Sequence, residues 1–153
     1  MSHAASPFVW YELMTTDLGA AEAFYRQAIG WTIADAGMPD MKYSIASAGG
    51  SGVAGMMTLP PEVRAQGAPP NWTGYIGVAD VDAWAERIRA ADGKIHHPPT
   101  DIPGVGRFAV VADPQGAAFA LYKGNSDGEM PPATNAPGTM GWHELYATDL
   151  GAA

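Results

Sequence analysis

Phe8-Val-Trp-Tyr-Glu-Leu-Met-Thr-Thr-Asp-Leu-Gly-Ala-Ala-Glu-Ala-Phe-Tyr-Arg-Gln-Ala-Ile-Gly-Trp31 carries two periodicities back to back. From Phe8 to Thr15 apolar residues alternate with mixed ones, which predicts a strand. Asp17 is a good helix N-cap, and Leu18, Ala21, Phe24, Tyr25 and Ala28 then recur at helical spacing as far as Ile29. Gly30 closes the helix. Three strand-like segments follow, Trp31 to Asp35, Met41 to Ala48 and Gly52 to Leu59, and Pro60-Pro61 ends the run.

The same order then restarts. Trp72 to Val78 reads as a strand, and Asp80 to Ala91 as a helix with Val81, Trp84, Ala85 and Ile88 on one stripe. Lys94 to His97, Gly106 to Ala112 and Ala117 to Lys123 complete a second set of three strands. Asp113-Pro-Gln-Gly116 is a tight turn between the last two. Neither half can bury a sheet well alone. The predicted class is therefore α+β: two βαβββ modules, 8–59 and 72–123, forming an eight-stranded curled mixed sheet around a central cavity with the helices outside.

Trp10 to Ala21 recurs as Trp142-His-Glu-Leu-Tyr-Ala-Thr-Asp-Leu-Gly-Ala-Ala153, identical at nine of twelve positions. Such a repeat predicts tandem domains. Residues 7–123 form the domain, 124–140 a Pro/Gly-rich linker, and 141–153 the truncated start of a second domain. The repeated strand, Gly141 to Tyr146, is expected either to add to a sheet edge or to stay unstructured. A homodimer is the expected assembly, through the surface a partner domain would cover.

Composition narrows the function. A net charge of −8 with no Lys/Arg run disfavours nucleic acid as partner. The apolar runs are too short and broken to span a bilayer. Met1 to Pro7 does not resemble an export signal, and the absence of cysteine fits a reducing cytoplasm while ruling out thiolate sites and a cysteine nucleophile.

The order of elements, the Asp17…Phe24-Tyr25…Gly30-Trp31 signature and the Asp113-Pro-Gln-Gly116 turn resemble the vicinal oxygen chelate superfamily, which contains glyoxalases, extradiol dioxygenases and bleomycin-resistance proteins. Two-domain bacterial glyoxalase-like proteins of unproven activity are the most similar subgroup, and Pro103 to Gly116 is in their style. The resemblance implies that metal-dependent members place four His or Glu ligands on four strands. Carried over, those positions fall on Trp10, on Gly55 or Met56, on Tyr75 and on Ala120, of which only tyrosine can donate to a cation. No metal and no cofactor is therefore expected. Adjacent His96 and His97 point to opposite faces of a strand, as do His143 and Glu144, and His3 lies near the terminus.

If Trp10 faces the hollow, alternation puts Glu12 and Met14 beside it. Tyr75 and Gly77, then Ala118, Ala120 and Tyr122, face in from the second module, with Met57 from the first. Trp10, Glu12, Met14, Met57, Tyr75 and Tyr122 are the candidate ligand-binding residues. A carboxylate among aromatic rings suits a small cationic or planar organic ligand. For any one of Trp10, Met57 and Tyr75, core filling is the slightly favoured reading, whereas the two roles weigh equally for Glu12. Glu12 has a structural alternative in an ion pair or a hydrogen bond to Tyr75 or Arg107. His97, Asp101 and Arg107 read as a strand-end residue, a turn acid and a solvated base. The expected function is metal-free binding of a small molecule, for sequestration or sensing. A glyoxalase-like lyase or dioxygenase-like enzyme, with other ligands or with Glu12 as acid–base, is the alternative, and a module pairing with a tandem domain is a third.

Overall fold

The computed structural model describes residues 6–125 and 136–152. In chain order these hold β1 (Phe8–Thr15), α1 (Leu18–Ala28), β2 (Thr32–Asp35), β3 (Tyr43–Ala48), β4 (Ser51–Thr58), α2 (Pro61–Ala65), β5 (Asn71–Gly77), α3 (Val81–Ala90), β6 (Lys94–Ile102), β7 (Gly106–Ala112) and β8 (Ala118–Gly124). The class is α+β, with strand–helix–three strands written twice. Two compact units result, one built on Trp10–Thr73 and one on residues 74–125.

Both long helices start in the same way. Asp17 accepts a hydrogen bond from the Ala20 amide at 2.9 Å, and Asp80 one from the Ala83 amide at 3.0 Å. Each carboxylate satisfies an amide that has no partner within its helix. In the first half the strand order is β2-β3-β4-β1, with β1 parallel to β4 and Glu12 opposite Gly55. In the second it is β5-β8-β7-β6, with β5 parallel to β8 and Tyr75 opposite Ala120.

Alternation assigns one face of each sheet to its helix. Leu13, Ile33, Ala46, Ala54 and Met56 pack with Leu18, Ala21 and Tyr25 in the first half. Ala109, Val111 and Leu121 pack with Val81, Trp84, Ala85 and Ile88 in the second. Alanines at 46, 54 and 109 are fully buried, which lets a helix lie close on the strands.

Several boundaries differ from expectation for physical reasons. Phe24 was expected on the apolar stripe but is exposed, edge-on to Tyr25. Glu22 turns toward the sheet instead, because it accepts a 2.6 Å hydrogen bond from buried Ser44. β6 runs past His97 to Ile102. It is the outermost strand of its half, where prolines 98 and 99 cost little, and its register shifts on both sides of His97. Pro61 starts the short α2, since the first helical position needs no N–H.

The segment Gly141 to Tyr146 forms no strand. Before it, Gly138 is anchored to the first half: its carbonyl accepts from Trp31 Nε1 at 2.7 Å, and Met140 packs on the same core. Gly138 and Met140, at the end of the expected linker, thus pack on the first half. Residues 126–135 of the expected linker, and His3, lie outside the described residues. Among the described residues no helix is long and apolar enough to cross a membrane.

Candidate functional site

Because Leu13 and Met56 face α1, the alternate residues of the first-half sheet share the opposite face. These are Trp10, Glu12 and Met14 on β1, Tyr43 and Ile45 on β3, and Gly55 and Met57 on β4, matched by the pairs Glu12 with Gly55, Met14 with Met57 and Tyr43 with Met57. Gly55 and Met56, the two positions left open, lie on opposite faces of the sheet. Met56 is fully buried under the helix, and Gly55 is the residue on the Glu12 face.

Glu12 is only 8% exposed. Its Oε2 accepts a hydrogen bond from the Tyr43 hydroxyl at 2.9 Å, and that hydroxyl oxygen accepts one from Trp10 Nε1 at 3.1 Å. The hydroxyl of Tyr43 thus bridges an indole and a carboxylate. The Trp10 ring also lies over Gly52. Gly55 makes room for this arrangement. A Cβ there would fall on the Tyr43 hydroxyl and come within 2.9 Å of its ring carbon Cε1.

Arg107, one of the alternatives considered as a partner of Glu12, has its partners within the second half. Arg107 is bidentate to Asp82, at 2.7 and 2.8 Å, and also donates to Asp101 at 2.9 Å. Hydrogen bonding from Arg107 holds the Asp82 carboxyl below its usual range, and the same bonds raise Arg107. Asp101 and Arg107 are thus a solvent-exposed cross-strand pair that ties β6 and β7 to the start of α3, with Asp101 on a strand where a turn was expected.

In the second half Tyr75 is buried and meets Tyr122 edge-on at 6.4 Å. The Tyr122 hydroxyl donates to the Val105 carbonyl at 3.2 Å, and burial raises its pKa. His97 stacks on Phe108 at 5.0 Å, so it is a strand residue with a ring partner. The structure therefore joins Trp10 and Glu12 by hydrogen bonds, places Met14 beside Met57, and pairs Tyr75 with Tyr122.

Tyr43 is the residue that sequence reading missed. Its contact with Glu12 spans 31 residues, which local periodicity cannot report. A signal existed in Gly55, since a glycine inside a strand often marks the close approach of another group.

The cation that the fold family implies would need donors at residues 10, 55, 75 and 120. Trp10, Gly55 and Ala120 offer none and Tyr75 a neutral phenol, so the residues present do not fit it. Among the described residues no three His, Cys, Asp or Glu side chains gather as a metal site would require.

Residues 7–121 match the Glyoxalase/Bleomycin resistance protein/Dioxygenase superfamily, and the chain belongs to that superfamily. Mycobacterium tuberculosis CFP32, provisionally named a glyoxylase, is 37% identical over 138 residues, covering 89% of this chain and 52% of that protein. Anthracycline biosynthesis protein DnrV of Streptomyces peucetius is 36% identical over 158 residues, covering 94% and 56%. The chain spans about half the length of these curated relatives. Among solved structures, methylmalonyl-CoA epimerase from Mycobacterium tuberculosis aligns with a TM-score of 0.58 at 16% identity, covering 82% of this chain and 94% of that one. A mutant 4-hydroxymandelate synthase from Streptomyces coelicolor aligns at 0.56 and 18% identity, covering 79% and 39%. At such identities the likeness establishes the fold alone.

Proposed function

We propose that this domain binds a small organic molecule at Glu12 without a metal ion, as a sequestering or sensing protein. One observation carries the reading: a buried carboxylate fixed by the Tyr43 hydroxyl, with the Trp10 indole behind it. Negative charge beside aromatic rings attracts a cation, and the rings stack on planar groups. Met14 and Met57 supply an adaptable apolar floor. Tyr75 and Tyr122 give the second half an aromatic surface of its own. Kinship with a protein named for anthracycline biosynthesis supports a planar ligand, since anthracyclines carry fused planar rings. A cysteine-free chain suits the cytoplasm.

Isothermal titration with proflavine, a planar tricyclic cation, tests the site. Glu12→Gln is expected to weaken binding by about tenfold or more, the loss of one charge-assisted interaction. Undiminished affinity removes Glu12 from the role. The provisional glyoxylase name of a relative favours a second reading, a lyase of the glyoxalase kind or a dioxygenase-like enzyme. Metal analysis of the purified protein separates the two. One equivalent of Zn, Ni, Mn or Fe supports the enzyme and overturns metal-free binding. A homodimer belongs to the proposal as well, because Trp142, Leu145, Tyr146 and Leu150 are exposed and offer apolar surface to a second copy. A monomeric mass by light scattering refutes that part.

A further inference from the structure

The turn between β7 and β8 holds itself together without the Gln115 side chain. Asp113 Oδ1 accepts from the Gln115 and Ala117 amides at 2.9 and 2.8 Å, and the Asp113 backbone pairs with those of Gly116 and Ala117. The Gln115 carboxamide turns instead to the repeated segment. Its oxygen accepts from the Thr148 amide at 2.8 Å, the Thr148 hydroxyl at 2.6 Å and the Asp149 amide at 3.1 Å. Its nitrogen donates to the Asp149 carbonyl at 2.6 Å. The same segment is held again at His143, whose ring stacks on Phe8 at 3.9 Å and 7°.

The repeat differs from the first copy at three of its twelve positions, and two of these bear on the contacts. His143 stands where the first copy has Tyr11, which packs on the first-half core. Ala147 stands where it has Thr15, whose hydroxyl accepts from the Asp17 amide at 3.4 Å. Ala147 has no hydroxyl, and Gln115 accepts from the Asp149 amide in its stead. The identical leucines also change surroundings. Leu13 and Leu18 are each 5% exposed in the first-half core, whereas Leu145 and Leu150 are 52% and 80% exposed. The segment is thus held through its backbone and its changed ring, and it turns outward the leucines that build a core in the first copy.

We propose that the β7–β8 turn and Phe8 are the docking surface for a second module of this fold carried on the same chain, with Gln115 as the positioning residue that seats its opening segment. A carboxamide suits the task, because it donates to and accepts from a backbone amide at once. Phe8 adds a flat apolar contact for the imidazole. Seating leaves Leu145 and Leu150 to the second module's own core, so docking and folding of that module do not compete. The same leucines are part of the surface offered to a second copy in the dimer proposed above. This chain spans about half the length of its curated relatives, which leaves room in them for a second module. Seating is independent of ligand binding at Glu12.

Amide hydrogen exchange of the whole chain, read by nuclear magnetic resonance, tests the seating. The Thr148 and Asp149 amides should exchange slowly in the parent, and Gln115→Ala should speed both by about tenfold. The Ala117 amide, bonded to Asp113, should keep its rate, which separates loss of docking from loss of the turn. Equal rates at residues 148 and 149 in parent and variant overturn the proposal, as do unprotected amides in the parent. Protection that disappears on dilution assigns the surface to a second copy's segment and overturns seating within one chain. If Gln115→Ala speeds Ala117 as well, His143→Ala leaves the turn intact and removes the stack on Phe8. It should then speed Thr148 and Asp149 by about threefold, and unchanged rates overturn the proposal.

Discussion

Replacing Tyr43 with phenylalanine removes one oxygen and leaves the ring. The hydroxyl donates to Glu12 Oε2 at 2.9 Å and accepts from Trp10 Nε1 at 3.1 Å, so both bonds go together. A hydrogen bond to a charged group contributes about 1.5–3 kcal/mol and a neutral one about 0.5–1.5 kcal/mol. Glu12 is 8% exposed, so water replaces the lost donor poorly and the carboxylate bond sits toward the upper end of its range. The expected loss is about 2–4 kcal/mol, or roughly 4–16 °C in melting temperature for a chain of this size. Urea unfolding followed by far-ultraviolet circular dichroism measures it. Glu12→Met supplies the second arm of a double-mutant cycle, because it fills the space and removes the acceptor. On that background Tyr43→Phe should cost only about 1 kcal/mol, the share of the indole bond. A cost within about 0.5 kcal/mol of zero in the parent, or the same cost in both backgrounds, refutes the coupling of Tyr43 to Glu12.

Ser44→Ala removes the donor of the 2.6 Å bond to Glu22 on the helix side, and chemical denaturation is expected to show a loss of about 1–3 kcal/mol. Gly138→Val puts a side chain on backbone of positive φ, where a Cβ already approaches Ala48 to 3.0 Å. The clasp should open, with faster hydrogen exchange at Trp31 Nε1 in nuclear magnetic resonance spectra. Asp82 titrates below its ordinary value because Arg107 hydrogen-bonds it, so its contribution is complete above the unfolded pKa and fades as pH falls through the folded one. Melting temperatures measured from pH 6 down to pH 2 should therefore fall less steeply for Asp82→Asn than for the parent.

What the sequence made legible was local. The N-cap Asp17 acts within three residues of itself, and α1 starts where it predicts; Asp80, read as the first residue of the second helix, caps it instead. Strand alternation assigned Glu12 and Leu13 to opposite faces, because the pleat fixes parity once the strand is known. Where partners are distant, sequence said less. Glu22 displaced Phe24 from the buried stripe through Ser44, and Arg107 found Asp82 at a separation of 25 residues. β6 was cut short at His97 because two prolines read as a stop, although an outer strand tolerates them. Tyr43 went unnoticed for the same non-local reason, although Gly55 opposite Glu12 pointed to a neighbour that needed the room.

The pleat also explains how a site can change chemistry while its fold persists. On the first-half sheet, Leu13, Ala46, Ala54 and Met56 face α1 and hold the module together. Trp10, Glu12, Tyr43 and Gly55 alternate with them and face away. Substitutions in the second set leave the first untouched, because neighbours along a strand share no face. Burying a carboxylate costs stability unless bonds compensate, so an acid at residue 12 calls for a donor such as the Tyr43 hydroxyl. That hydroxyl can reach it only while residue 55 lacks a side chain. The absence of a Cβ at Gly55 thus does two things at once: it withholds a side-chain donor, and it admits the Tyr43 hydroxyl beside Glu12.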